Sequence, residues 1–283
     1  MLARVATTIS EIQAAVTQAR QAGKAIGFVP TMGALHEGHA ELVRAARAAS
    51  DFVIVSIFVN PTQFGPKEDF AKYPRTLEAD QKIGTDAGAE LIFAPSVAEM
   101  YPERSVTFVE VNELDAELCG PRRPGHFRGV CTVVLKLFNI VRPDKAHFGA
   151  KDFQQARIIQ QMVRDLNVPV EVRVEPTVRE PDGLAMSSRN RYLSSAERAA
   201  APAIYKALQA IRARALAGEI DVARLESALN AELAAIPGSR IDYARIVDIN
   251  TLQPLPRLGR PAVAAVAVFL GTTRLIDNLI ISD

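Results

Sequence analysis

The sequence predicts an α/β fold, a doubly wound parallel sheet followed by a smaller C-terminal α+β domain. Up to about residue 177, short apolar runs alternate with segments of helical spacing, the signature of parallel strands joined by crossover helices. Within that region "FVIVSIFVN" (52–60) is so evenly apolar that it reads as a central strand buried on both faces. From about residue 180 the pattern changes to two alanine-rich helical segments and then three strand-like runs, joined by loops too short for crossover helices, so an antiparallel sheet is expected there. The boundaries follow as 1–177 and 178–283.

"AIGFV" (25–29) is the first strand, and "AELVRAARAAS" (40–50) repeats apolar residues at helical spacing. The run 52–60 is followed by "AELIFAP" (89–95), a third strand, and by the apolar helix "CTVVLKLFNIV" (131–141). "AHFG" (146–149) is a strand leading into the helix "DFQQARIIQQMVRDLN" (152–167), and "VEVRVEPTV" (170–178) closes the series. The second domain starts with helices at roughly 196–217, capped by Ser194 or Ser195, and 221–235. "DYARIVDI" (242–249), "AVAAVAVFL" (262–270) and "RLIDNLII" (274–281) are its strands, and "LQPLPRLGRP" (252–261) is a proline-rich loop.

Composition narrows the class of function. A chain of 283 residues, 48% hydrophobic and 23% charged, can bury a substantial core. Lysine and arginine (33) nearly balance aspartate and glutamate (32), with no long block of one sign, so nucleic acid is not the expected partner. The first 20 residues lack a basic stretch followed by an apolar core, and the longest apolar run, 262–270, is too short to span a bilayer. A cytoplasmic protein without a membrane partner is expected. Cys119 and Cys131 are too few for a disulfide framework and lack metal-ligand spacing, so both read as free thiols.

The chemistry concentrates where the first strand ends. In an open parallel sheet ligands bind beyond the carboxyl ends of the strands, and "PTMGALHEGH" lies at that edge. Gly33 and Gly38 let backbone pass close to a ligand, and the helix starting there offers N–H groups and partial positive charge to phosphate. His36 and His39, three residues apart on its first turn, can donate to the same oxygens. Surface or core histidines are the bland alternative, and a shared metal ion is a third, without an acidic or cysteine partner at ligand spacing. "GLAMSSRN" (183–190) adds Ser187, Ser188 and Arg189 on a loop expected to be mobile, able to grip phosphates from the opposite side.

"HEGH" followed by "MSSR" resembles the two signatures of the nucleotidylyltransferase superfamily, whose members bind ATP on a Rossmann-like sheet. The fuller ordered set, "FVPTMGALHEGH", "SIFVNPTQF", "YPRT", "RPGHFRGV", "FGAKDFQQ" and "DGLAMSSRNRYL", resembles the pantothenate synthetase (pantoate–β-alanine ligase) family over nearly the whole chain.

The resemblance implies condensation of pantoate with β-alanine through a pantoyl adenylate, with ATP as co-substrate, Mg2+ accompanying it and a homodimer formed through the N-terminal domain. It implies that Met32, Gly33, Ala34, Leu35, His36, Glu37, Gly38 and His39 contact the nucleotide, together with Gly149, Ala150, Lys151 and Asp152, and Val178, Met186, Ser187, Ser188 and Arg189. His39, His36, Lys151, Ser187, Ser188 and Arg189 carry the chemistry in that reading, His39 as the acid helping pyrophosphate depart. Related members often have glutamate where this chain has Ala150, so a side-chain contact from that position is absent.

Gln63 and Gln155 match the family's pantoate-binding glutamines, with Asn60 beside them and Gln154 expected to face away. Asp80 is the candidate magnesium neighbour. His126 and Arg128 are expected in a turn at the pocket edge, and His147 is expected to be structural. The C-terminal domain is expected to act as a lid that excludes water from the adenylate. The competing readings are another nucleotidylyltransferase acting on a phosphate-bearing substrate, and a non-catalytic nucleotide-sensing module.

Overall fold

The computed structural model describes residues 2–66 and 70–282, and the chain packs as two compact units. The first comprises Met1–Asn112, Arg123–Ala150 and Gln155–Pro176; the second comprises Glu113–Arg122, Lys151–Gln154 and Thr177–Asp283.

The first unit is built on six parallel strands: β1 (Arg4–Ala6), β2 (Ile26–Thr31), β3 (Phe52–Ile57), β4 (Leu91–Phe93), β5 (Lys145–Gly149) and β6 (Glu171–Glu175), in the order β1-β4-β3-β2-β5-β6. Its crossovers include α1 (Ile9–Gln21), α2 (Glu37–Ala49), α3 (Leu77–Ala87), the short α4 (Val97–Met100), α5 (His126–Val141) and α6 (Phe153–Asp165). Phe28, Val29, Val53, Ile54, Val55, Ile92 and Phe93 are all fully buried, which explains why β2, β3 and β4 read as continuous apolar runs. β2 is the first of the central strands; the chain runs from it to β3 and β4 on one side, then returns to β5 and β6 on the other. The order reverses between β2 and β5, the place where an open sheet of this kind leaves a crevice for a ligand.

β1 was not foreseen. Three residues pairing only with β4 at the sheet edge are too short to show alternation. His126 and Arg128 stand on the first turn of α5 and not in an irregular turn, because α5 begins directly after Gly125, whose φ of +77° sets up the helix start.

The second unit contains α7 (Ser195–Ala200), α8 (Ala203–Leu216), α9 (Val222–Ala234) and the antiparallel sheet β7-β8-β9 (Ser239–Asp248, Ala262–Leu270, Thr273–Ser282), as the sequence predicts. The single helix expected over 196–217 is two helices, because Pro202 cannot donate a backbone hydrogen bond and stands at the N-cap of α8. Ser194 caps α7 reciprocally with Glu197. Ile204, Leu208 and Ile211 of α8 and Leu225, Leu229 and Leu233 of α9 lie on apolar stripes and pack with Ala264, Val266 and Val268 of β8.

His147 on β5 has a fully buried ring whose Nδ1–H donates to Glu175 on β6 at 2.8 Å, and its Nε2 has no partner among the described residues. Burial disfavours the charged ring and pushes its pKa below the usual value, against the opposing pull of Glu175. The unfolded chain therefore binds more protons than the folded one once the pH drops below about 6.5. Stability is expected to fall with pH below that point by up to about 1.4 kcal/mol per unit, until the folded-state pKa is reached. Chemical denaturation between pH 7.5 and 5.5 checks this, and His147→Gln should flatten the dependence.

Candidate active site

The loop between β2 and α2 is shaped from beneath. Thr31 donates its hydroxyl to the Ser56 carbonyl at 2.6 Å and accepts the Gly33 N–H at 3.1 Å. Gly33 and Ala34 both take positive φ, +83° and +53°. A β-carbon on Gly33 would lie 2.9 Å from the Ile57 side chain and 3.0 Å from Asp80, so the turn admits only glycine there. Asp80 on α3, 1% exposed, accepts the Ala34 N–H at 3.0 Å and the Leu35 N–H at 2.7 Å, while Thr76 donates to it at 3.2 Å. Asp80, expected beside magnesium, holds this loop with both carboxylate oxygens.

That loop delivers His36 to the N-cap of α2 and His39 to its third helical position, where each caps the other. The Gly38 N–H donates to His36 Nδ1 at 3.1 Å and the His36 N–H to His39 Nδ1 at 3.3 Å, with the ring centroids 4.2 Å apart. A ring nitrogen that accepts an N–H carries no proton, so in both rings the proton resides on Nε2. Two Nε2–H donors thus stand beside the positive end of α2. Leu35 is buried, Met32 and Gly38 are half-buried, and Glu37 faces solvent, paired with Arg44 at 2.6 Å.

After β3, Asn60 is the hub of a second turn. Its amide donates to Gln63 Oε1 and to the Gly129 carbonyl, both at 3.2 Å, and its oxygen accepts from the Thr62 hydroxyl and from Tyr101, both at 3.0 Å. Gln63 is buried, its amide 2.9 Å from Met32 Sδ in the first loop. His126 Nδ1–H donates to the Gln63 carbonyl at 2.8 Å and its Nε2 accepts from Arg123 at 2.9 Å. Gly129 makes this approach possible, since a β-carbon there would lie 2.4 Å from the Thr62 carbonyl. The first unit also carries Gly149 and Ala150 at the end of β5, and half-buried Gln155 in α6.

The remaining candidates belong to the second unit. Lys151 and Asp152 lie in a single 3-10 turn ahead of α6. Val178 and Met186 pair across a narrow hairpin, in which the Met186 N–H donates to the Val178 carbonyl at 3.0 Å and the Glu180 N–H to the Leu184 carbonyl at 2.8 Å. Ser187 then caps a 3-10 turn, Ser188–Tyr192, accepting the Arg189 N–H at 3.3 Å. The segment expected as a loop takes the form of a hairpin followed by a capped turn.

Known proteins are similar to this chain in both sequence and fold. The family model for pantoate-beta-alanine ligase matches residues 4–280. The chain belongs to the pantoate–β-alanine ligase family. The pantothenate synthetase of Moorella thermoacetica is 54% identical, with 97% of each chain covered. The crystal structure of pantothenate synthetase from Thermus thermophilus is 49% identical with a TM-score of 0.93, covering 99% of this chain and 100% of that one. The pantoate-beta-alanine ligase of Francisella tularensis is 35% identical with a TM-score of 0.80, covering 99% and 98%. The chain is accordingly a ligase that joins pantoate and β-alanine to form pantothenate.

As a member of this family, the chain contains two residues that its motifs under-weighted. His126, expected at a pocket edge, holds the backbone of Gln63. Gln154, expected to face away, is buried, accepts the Cys119 N–H at 2.9 Å and donates to the carbonyls of Leu114 and Glu117 at 2.8 Å. Its position four and eight residues before the buried Ile158 and Met162 was the available signal, because a polar residue on an apolar stripe has to find buried partners.

Removing the Asp80 carboxylate leaves two buried N–H groups of the β2–α2 loop without an acceptor, at about 1–3 kcal/mol each. Asp80→Ala should lower unfolding free energy by about 3 kcal/mol and should depress ligase turnover further than that loss accounts for at temperatures where the variant remains folded. Denaturation and steady-state assays measure the two effects separately.

Proposed function

We propose that this ligase works in two steps through a pantoyl adenylate. A pantoate carboxylate oxygen attacks the α-phosphorus of ATP, and the bond from that phosphorus to the β,γ-pyrophosphate breaks. The β-alanine amine then attacks the acyl carbon; the bond to AMP breaks and the amine loses a proton. ATP as co-substrate is supported by the Francisella tularensis ligase, whose structure was solved with beta-gamma ATP and β-alanine.

The observation that carries this reading is the reciprocal cap of His36 and His39 at the sheet's switch point. Displacement at phosphorus needs reactants held in line and negative charge neutralised, more than it needs a protein nucleophile. Two Nε2–H donors and a helix N-terminus meet that need. His39 acts as a hydrogen-bond donor from Nε2 to the departing pyrophosphate and stabilises its charge while keeping its own proton, held in that tautomer by the His36 N–H on Nδ1. Backbone groups of Met32, Gly33, Ala34, Leu35, Glu37 and Gly38 line the nucleotide side, and Gly149, Ala150 and Asp152 serve the adenosine portion.

Lys151 supplies a point charge to the phosphates, and Ser187, Ser188 and Arg189, together with Val178 and Met186, supply further nucleotide contacts. Gln63 and Gln155 bind pantoate's carboxylate and hydroxyls, and Asn60 sets the Gln63 side chain through its own amide. Residues 1–177 then form the ATP- and pantoate-binding domain, and 178–283 a lid. Mg2+ enters with ATP, held by phosphate oxygens and water; among the described residues no group of three His, Cys, Asp or Glu side chains could hold a metal ion, and Asp80 is committed to backbone. We also read the protein as a cytoplasmic homodimer. No helix among the described residues is long and apolar enough to cross a membrane, and Val106 and Phe108 of the first unit stand exposed.

Pyrophosphate release from ATP with pantoate alone tests the central step. One burst near one equivalent per site, with turnover only after β-alanine is added, is the expected result, and His39→Ala should slow the burst by about 10²–10³. Continuous release without β-alanine, or none until it is added, contradicts the adenylate.

A further inference from the structure

Two separate segments of the second unit carry proposed phosphate ligands, the turn holding Lys151 and the hairpin leading to Ser187, Ser188 and Arg189. Both are fastened to neighbouring residues of one strand. On β9, Asn278 donates its side-chain amide to the Lys151 carbonyl at 3.0 Å. Asp277, next to it, receives both ends of the Arg179 guanidinium, Nη1 to Oδ2 at 2.6 Å and Nη2 to Oδ1 at 2.9 Å. Arg179 is a residue of the hairpin itself: it bridges to Ala185 across the two arms and donates to the Gly183 carbonyl at 3.1 Å. Its guanidinium also stacks 3.5 Å from the ring centroid of Tyr205 on α8.

Successive side chains on a strand point to opposite faces of the sheet. Asp277 shares the face of Leu275 and Ile281, which pack in the core formed with α8 and α9. Asn278 shares the opposite face with Arg274, which meets Asp242 and Cys119. The hairpin is thus tied to one face and the Lys151 turn to the other, and the thickness of a single strand separates the two anchors. Both anchoring side chains are buried, Asp277 at 5% and Asn278 at 8% exposure, and a bidentate arginine–carboxylate pair fixes direction as well as distance.

We infer that Asp277 and Asn278 are positioning residues for the ligase reaction, setting the Ser187–Ser188–Arg189 turn and Lys151 in register with one another. The inference rests on the assignment of those residues to the phosphates. It gives a catalytic constraint to the last strand of the chain, which has no residue that need touch a substrate.

A double-mutant cycle tests it, read as kcat/KM for ATP in pyrophosphate release. Asn278→Asp replaces the donor with an acceptor of the same size; it should cost about tenfold in the native background and less than twofold in a Lys151→Ala background, where the positioned group is gone. Asp277→Asn should behave likewise against Ser187→Ala/Ser188→Ala. A merely structural role would lower activity by the same factor in both backgrounds, and that result, or no effect in the native background, overturns the inference. If Asn278→Asp does not fold, Asn278→Ser enters the same cycle. Should Lys151→Ala itself leave kcat/KM for ATP unchanged, the phosphate assignment fails and the inference falls with it; a loss in Lys151→Ala alongside additive Asn278 variants rejects the inference alone.

Discussion

The carboxylate of Asp80 lies beneath the β2–α2 loop, and the shape of the site depends on it. A loop with two consecutive positive-φ residues is unfavourable unless something holds it, and two buried backbone N–H groups ending on one carboxylate do so. Only with that loop in place does His36 arrive at the cap of α2 with extended backbone, and only then can His39 reach back to its N–H. The chain of dependence runs from a buried charge on α3, through strained backbone, to the tautomers of two imidazoles. A glycine at 33 and an aspartate at 80 are therefore as much part of the site as the histidines they present.

The same logic recurs around Gln63. Its side chain is set by Asn60, its backbone by His126, and its closeness to α5 by Gly129. In the second unit, Asp277 and Asn278 hold segments whose other residues are the proposed ligands. In each case the group proposed to meet substrate lies on a segment held by a buried polar residue through a side-chain hydrogen bond, in keeping with the high cost of leaving such a group unpaired.

Much of this was legible in the sequence because the relevant signals are local. Five strands of the parallel sheet and all three antiparallel strands appear as apolar runs, and the "HEGH" and "MSSR" segments announce themselves by residue type. What escaped depends on contacts distant in sequence. Asp80 read as a metal neighbour because nothing local says that its oxygens face residues 34 and 35, some forty-five positions earlier. Asp277 and Asn278 lie in a strand whose pattern is otherwise ordinary, and their partners lie 98 and 127 residues away. The break between α7 and α8, by contrast, was written in Pro202, whose missing N–H outweighs the helical propensity of the alanines around it.

The reciprocal cap makes a claim about protons that can be observed directly. The chain has four histidines, and the hydrogen bonds assign them in two pairs: His36 and His39 protonated on Nε2, His126 and His147 protonated on Nδ1. Nitrogen-15 NMR of histidine-labelled protein at neutral pH, without ATP and assigned by single substitutions, distinguishes the tautomers. Unprotonated Nδ1 and protonated Nε2 in both His36 and His39, with the opposite pattern in His126 and His147, is the result the account requires. A proton on Nδ1 of either His36 or His39 would mean that the reciprocal cap does not form.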